Sequence, residues 1–241
     1  MTNKIHIGTS GWSYDHWRGA FYPDDLARVK WFDYYCEHFK TVEINNSFYH
    51  LPSIETFKNW REEAPEDFIF SVKASRFITH MKKLKDPKKS LEKFLTHSAN
   101  LKEKLGPILF QLPPHWKLNL ERLENFIKHL PRDLKAVFEF RENSWFCKDV
   151  YDLLSEAGYG FCVHDMQDIN CPRVITASPV YIRFHGTAYV YGGKYTRTQL
   201  KDWAGFIKKC AKNSEVYVYF NNDAHGSSAE NALELKKILG V

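Results

Sequence analysis

The sequence predicts a (β/α)₈ TIM barrel, read as a single α/β domain over residues 1–241. Three observations predict it. Eight short strand-like runs alternate with amphipathic helical runs, and this alternation implies a parallel sheet. Eight is also the number of strands that closes on itself. Finally, the 241 residues suit one barrel, and no Pro/Gly/Ser-rich linker or low-complexity tract divides them. A doubly wound open sheet fits the same alternation less well, because no Gly-x-Gly-x-x-Gly turn follows the first run.

The strand candidates are Lys4–Gly8, Thr41–Asn45, Phe68–Lys73, Pro107–Leu112, Lys135–Arg141, Gly160–Asp165, Val180–His185 and Glu215–Asn221. Each is rich in Val, Ile, Phe or Tyr and is bounded by turn residues. Helical patterns cover Asp25–His38, Ile54–Glu63, Pro87–Lys104, Leu120–His129, Asp149–Ala157, Thr196–Lys212 and Ser228–Leu239. Ser227-Ser228-Ala229-Glu230 reads as a capping box opening the last helix. Between the sixth and seventh strands, Met166–Pro179 has no helical period and reads as irregular.

Composition narrows the functional class. Hydrophobic residues make up 44% and charged residues 26%, as in an ordinary globular chain. The start carries no basic segment followed by an apolar one, and no apolar run is long enough to span a membrane. The five cysteines, Cys36, Cys147, Cys162, Cys171 and Cys210, form no Cys-x-x-Cys pair. That spacing argues against a disulfide framework and a structural zinc site, and it fits a cytoplasmic location. The net charge of +5 says little about partners, and nothing in the sequence sets an oligomeric state.

Strand parity points to a site. Successive strand residues face opposite sides of the sheet. One set is apolar: Ile5 and Ile7, Val42 and Ile44, Phe70 and Val72, Phe138 and Phe140, and their counterparts through Phe220. It suits the layer between sheet and helices. The other set turns polar or small toward the strand C-termini: Ser10, Glu43, Asn45, Ser71, Lys73, Gln111, Glu139, Arg141, His164, Arg183, His185 and Asn221. These side chains point into the barrel mouth, where barrel enzymes place their active sites. They could instead satisfy one another as a buried ion-pair network.

Lys73, Arg141 and Arg183 outnumber the carboxylates Glu43 and Glu139, so the mouth carries surplus positive charge and suits a small anionic substrate. In the enzymatic reading, Arg141, Arg183 and Lys73 hold the anion, Glu139 or Glu43 is the general base, and His185 or His164 is the proton partner. Ser10, Trp12, Asn45, Tyr49, Gln111, Asn221 and Asp223 complete the substrate-binding set. The glycines of 186–193 and the turn at 222–226 before the last helix add a candidate phosphate cradle.

No motif requires a cofactor. A divalent metal could draw on His164, Asp165, His185, Asp223, His225, Glu43 and Glu139, but no His-x-His or His-Glu-x-x-His spacing supports one, and the neighbouring cations would repel it. Aromatics near the rim, Trp12, Tyr14, Trp17, Tyr22, Phe48, Tyr49 and Trp145, could stack a sugar or a base, or simply pack the long first loop. Five lysines between Thr79 and Ser90 (Lys82, Lys83, Lys85, Lys88 and Lys89) form either a solvated surface or a grip for nucleic acid.

Seven blocks carry a family resemblance: Ile7-Gly8-Thr9-Ser10-Gly11-Trp12, Glu43-Ile44-Asn45-Asn46-Ser47-Phe48-Tyr49, Phe70-Ser71-Val72-Lys73-Ala74, Leu109-Phe110-Gln111-Leu112-Pro113-Pro114, Glu139-Phe140-Arg141, Arg183-Phe184-His185-Gly186 and Tyr219-Phe220-Asn221-Asn222-Asp223. Together they resemble the YecE-like domain of unknown function, in order and across essentially the whole chain. The resemblance implies a barrel related to the xylose-isomerase-like group, which includes metal-dependent sugar isomerases and an apurinic-site endonuclease. It implies no established reaction. This chain places Lys73, Gln111, Arg141 and Arg183 where those relatives need carboxylate and histidine metal ligands. Three readings follow: a hydrolase or lyase for a phosphorylated or otherwise anionic substrate, a nucleic-acid-binding or nucleic-acid-processing protein, and a non-catalytic binding protein for a small anionic metabolite.

Overall fold

The computed structural model describes residues 4–187, 191–223 and 226–241. Its eight strands are β1 (Ile5–Thr9), β2 (Thr41–Ile44), β3 (Ile69–Lys73), β4 (Leu105–Gln111), β5 (Ala136–Glu139), β6 (Gly160–Asp165), β7 (Val180–Phe184) and β8 (Val216–Phe220). All pair in parallel, in the order β1-β8-β7-β6-β5-β4-β3-β2. A single bridge, Ser10 to Glu43, brings the two end strands together and nearly closes the barrel.

The β1–β2 seam is held by a side chain as well as by that bridge. Helix α1 (Trp31–His38) presents Tyr35, fully buried, whose hydroxyl donates to the Thr41 carbonyl at 3.0 Å and accepts from the Thr9 backbone N–H at 3.1 Å. The phenol therefore supplies one link of the missing ladder. The strands close tightly around it: a Cβ added to Gly8 would lie 2.2 Å from the Thr41 carbonyl oxygen. Only glycine fits there.

Helices α2 (Asn46–Tyr49), α3 (Ile54–Glu63), α4 (Lys88–Ser98), α5 (Leu120–Ile127), α6 (Lys148–Ala157), α7 (Arg197–Ala211) and α8 (Ser227–Leu239) complete the outer layer. The apolar parity set, including Val42, Phe70, Phe138, Ile182 and Val218, packs against them in one continuous core. A second, smaller cluster of Leu109, Val137, Cys162, Tyr181, Tyr217 and Tyr219 fills the lower interior of the barrel. Segment 166–179 has no helix, as its lack of period predicts.

The helices depart from the sequence reading chiefly in three places. Residues 28–30 are a separate 3₁₀ turn before α1. The 87–104 pattern divides into α4 and a 3₁₀ stretch, which lets the buried Lys104 ammonium donate to the Arg61 and Ala64 carbonyls at 2.7 and 2.6 Å and cap α3. The expected capping box at Ser227–Glu230 does not form: Gly226, at φ 76°, is the N-cap, and Ser228 Oγ donates to Asp223 instead. The capping box is at α7, where Thr196 and Gln199 satisfy each other's backbone N–H groups.

Tyr35→Phe leaves two buried backbone groups at the seam with one partner fewer. We expect a loss of about 2–6 kcal/mol, from about 1–3 kcal/mol per unsatisfied group. Urea unfolding reads this as a lower midpoint at unchanged slope.

Candidate active site at the barrel mouth

The polar parity set divides by depth. Glu43, Glu139, Arg183 and His185 show no exposure and lie beneath the floor of the mouth. Arg183, near the end of β7, donates through Nη2 to Glu43 Oε1 at 2.6 Å and through Nη1 to Glu139 Oε2 at 2.7 Å. Glu43 is completed by Ser10 Oγ and Tyr181 Oη, both donating at 2.7 Å. Glu139 also accepts from Arg141 Nε, and Arg141 donates to His185 Nε2 at 2.9 Å.

These contacts set the charges. Burial alone would raise the Glu139 carboxyl, but Arg141 and Arg183 hold it well below the usual range. Burial would likewise discharge Arg183, and the two carboxylates more than reverse that, so it stays a cation. His185 is pushed well below its ordinary pKa by burial and then by Arg141, so its Nε2 lone pair accepts from the guanidinium. Burial lowers His164 to about 4, its Nε2–H donates to the Phe140 carbonyl at 2.9 Å, and its buried Nδ1 has no partner. Both imidazoles are neutral at physiological pH.

Lys73 ends β3 with its side chain outside this network. Among the described residues no carboxylate lies within 4 Å of Nζ and no hydrogen bond engages it; the ammonium sits 4.2 Å above the Phe48 ring. It is 8% exposed. Burial and then Arg183 lower it to about 7. Its backbone is fixed by Ser47 Oγ, which donates to the Lys73 carbonyl at 2.6 Å.

Above Lys73 is a cavity of about 460 Å³, walled by Phe48, Tyr49, Arg76, His80, Gln111, Arg141 and Tyr191 among others. Four sequence candidates thus meet on one wall: Tyr49, Lys73, Gln111 and Arg141. Others lie elsewhere. Trp12 and Asn45 line a separate hollow of about 160 Å³ with Trp60. Asp223 ties the first loop to the last, accepting from Trp17 Nε1 and Ser228 Oγ at 2.6 Å and facing His16 Nε2 at 2.9 Å. Asn221 Nδ2 lies 3.2 Å from His185 Nδ1. Trp17, Tyr22 and Trp145 are buried packing residues.

Gly186, at φ 109°, serves the loop itself, since a Cβ there would lie 2.1 Å from the Gly192 carbonyl oxygen. Among the described residues no group of three His, Cys, Asp or Glu side chains is placed to hold a metal ion; His225 and Ala224 lie outside them. No described helix is long and apolar enough to cross a membrane.

Sequence reasoning missed Arg76 and His80. The connection after β3 continues into a π-helix, Phe77–Met81, which carries His80 to the mouth. A five-residue π turn has no sequence period to betray it, although π turns recur at functional sites. The one available signal is position, because any cation just past a barrel strand's C-terminus lies at the catalytic face.

The chain matches the family described as "Protein of unknown function DUF72" over residues 6–241. It belongs to that family. It is 29% identical to the UPF0759 protein YunF of Bacillus subtilis, across 98% of this chain and 95% of the relative. It is 30% identical to the UPF0759 protein YecE of Escherichia coli across 60% of this chain and 51% of that relative. A DUF72 family protein of Thermotoga maritima superposes with a TM-score of 0.90 at 31% identity, covering 98% of this chain and 99% of that one. The family is the one the seven sequence blocks resemble, and the DUF72 barrel is the fold they imply.

Removing Arg183 leaves Glu43 buried without a cation and Glu139 with Arg141 alone, so Arg183→Met should cost this DUF72 protein about 3–5 kcal/mol. Lys73 carries the opposite sign. Its folded pKa, about 7, lies below its ordinary value of 10.5. The cost of the buried ammonium is therefore full below pH 7 and is relieved as pH rises toward 10.5. Lys73→Met should unfold at equal or higher denaturant than the parent at pH 6.5, with the parent's rise in stability above pH 7 flattened. Parallel stability–pH curves would contradict this placement of the charge.

Proposed function

We propose that this DUF72 protein is an enzyme of the hydrolase or lyase class that acts on a small anionic substrate, phosphorylated or carboxylated, bound at the C-terminal mouth. One observation carries the reading. The cavity wall presents Lys73, Arg76, Arg141 and the imidazole of His80, and none of its described lining residues is a carboxylate. In a concave, partly desolvated mouth this arrangement favours an anion far more than the same charges would on an open surface.

Arg76 is exposed, and its guanidinium is free to fork onto a phosphate or carboxylate. Arg141, anchored by Glu139 and His185, presents a fixed cation from the floor. Lys73 is the group able to take part in chemistry, as base or nucleophile, because its proton is weakly held near neutrality. In this reading the reactive role assigned by sequence to Glu43 or Glu139 passes to Lys73, and the two carboxylates with Arg183 hold the floor in place.

Calorimetric titration with inorganic phosphate, citrate and a sugar phosphate tests the reading. At least one should bind, and Arg76→Gln should weaken it roughly ten- to hundredfold, as the loss of one charge-assisted pair of about 1.5–3 kcal/mol requires. Absence of binding by all three at millimolar concentration, or binding unchanged in Arg76→Gln, counts against the anion site.

A second reading rests on the exposed lysines Lys82, Lys83, Lys85, Lys88 and Lys89, of which Lys82, Lys88 and Lys89 line a groove of about 710 Å³ beside Phe77. A basic groove next to an exposed aromatic suits single-stranded nucleic acid. Affinity for an oligonucleotide should then fall steeply with salt, and more gently once Lys88 and Lys89 are changed to Glu. Binding indifferent to salt removes this reading.

A further inference from the structure

We propose that Lys73 is the amine nucleophile of the mouth cavity and that its substrate is a small carbonyl compound bearing a carboxylate or phosphate, which it takes as a covalent imine. The inference rests on the anion-binding reading above and narrows it, favouring lyase over hydrolase chemistry.

The interior holds three cations and two carboxylates, and the pairing is uneven. Arg183 engages both carboxylates, Arg141 shares Glu139, and Lys73 receives neither. A lysine meant to clamp an anion needs its charge. Here burial and the neighbouring guanidinium groups outweigh what favours that charge. Lys73 is nearly buried beside Arg183, with Arg141 and Arg76 on the same cavity wall; against these stand only the Phe48 ring face and the carboxylates Glu43 and Glu139, neither paired with it. Desolvation beside other cations is the environment in which lysines act as imine-forming nucleophiles. The lowered affinity of Lys73 for its proton agrees with that geometry.

The substrate class follows from what surrounds the amine. A carbonyl carbon must reach Nζ while an anionic group on the same molecule reaches Arg76 or Arg141, so the two functions lie within a few bonds of each other, as in an oxo acid or a sugar phosphate. The neutral amine adds its lone pair to the carbonyl carbon and the π pair moves to oxygen. A proton shift from nitrogen to oxygen gives the neutral carbinolamine. One further proton on that hydroxyl lets it leave as water while the nitrogen lone pair forms the C=N bond. Overall, amine, carbonyl and one proton give a protonated imine and one water, with no oxidant or reductant. The imine then draws electrons from the adjacent carbon, which is what C–C cleavage or decarboxylation requires.

Pyridoxal 5′-phosphate serves as the probe, because it carries an aldehyde and a phosphate and reports imine formation by absorbance. The full chain is mixed with one equivalent at pH 7.5 and reduced with borohydride, and the labelled peptide is identified by mass spectrometry. Lys73 should carry the label, on the order of tenfold faster than the mean of the exposed lysines. Labelling should be slowed by inorganic phosphate and absent in Lys73→Met and Lys73→Arg, both checked for folding by thermal melts. Its rate should level off above about pH 7. Label spread over surface lysines with Lys73 untouched, in a protein that still binds phosphate in an Arg76-dependent way, overturns the imine and leaves the anion site standing. Label absent from Lys73 together with no phosphate binding removes both.

Discussion

Arg183 is the constraint on which the mouth depends. A guanidinium is the one common side chain that can serve two carboxylates at once from a fixed plane, and Arg183 does so from the middle of the barrel. Two carboxylates facing each other across a closed interior would repel. Arg183 stands between them and, with Arg141, holds Glu139 well below the usual carboxylate range, and Glu139 in turn fixes Arg141. The consequence reaches upward: Arg183 and Arg141 together balance the two carboxylates, so the groups left to meet a ligand are those at the rim, namely Arg76, the outer face of Arg141 and the Lys73 nitrogen.

That network stands on tyrosines rather than on aliphatic residues. Tyr181 donates to Glu43, and Tyr219 shares hydroxyl contacts with Thr41 and Ser71 at 2.6 and 2.8 Å. Below them Tyr217 stacks on His6 at 4.5 Å. A ring fills the volume that a barrel layer needs, while its hydroxyl delivers a hydrogen-bond donor to a height where an apolar layer would leave the carboxylate unsatisfied. Parity alone makes these residues look like filler, yet they are the mounting for the ion network.

Much of this was legible in the sequence, and the limit has a physical cause. Parity assigns a face, so Glu43, Lys73, Glu139, Arg141 and Arg183 were all identified as interior residues, and counting them predicted one excess cation. Parity does not assign height. Which cation stays unpaired is decided by where each side chain ends: the Arg183 guanidinium reaches Glu43 and Glu139, whereas Lys73 Nζ lies against the Phe48 ring on the cavity wall. Likewise, Asp223 looked like a ligand contact because it follows a barrel strand, and only the fold reveals that Trp17, His16 and Ser228 converge on it. The π-helix that delivers His80 has no period to read.

A buried ion network of this kind is seldom chosen for stability, since well-packed apolar residues of the same volume usually do as well or better. Its value here is positional. Arg141 is held by Glu139, His185 and Met166, so its guanidinium keeps a fixed position on the cavity wall. Both interior carboxylates are occupied and neither pairs with Lys73, while burial and then Arg183 leave its amine with a weak hold on its proton. The pairing below and the reactivity above are therefore one arrangement: the same electrostatics that saturates Glu43 and Glu139 leaves Lys73 as the unpaired nitrogen at the mouth.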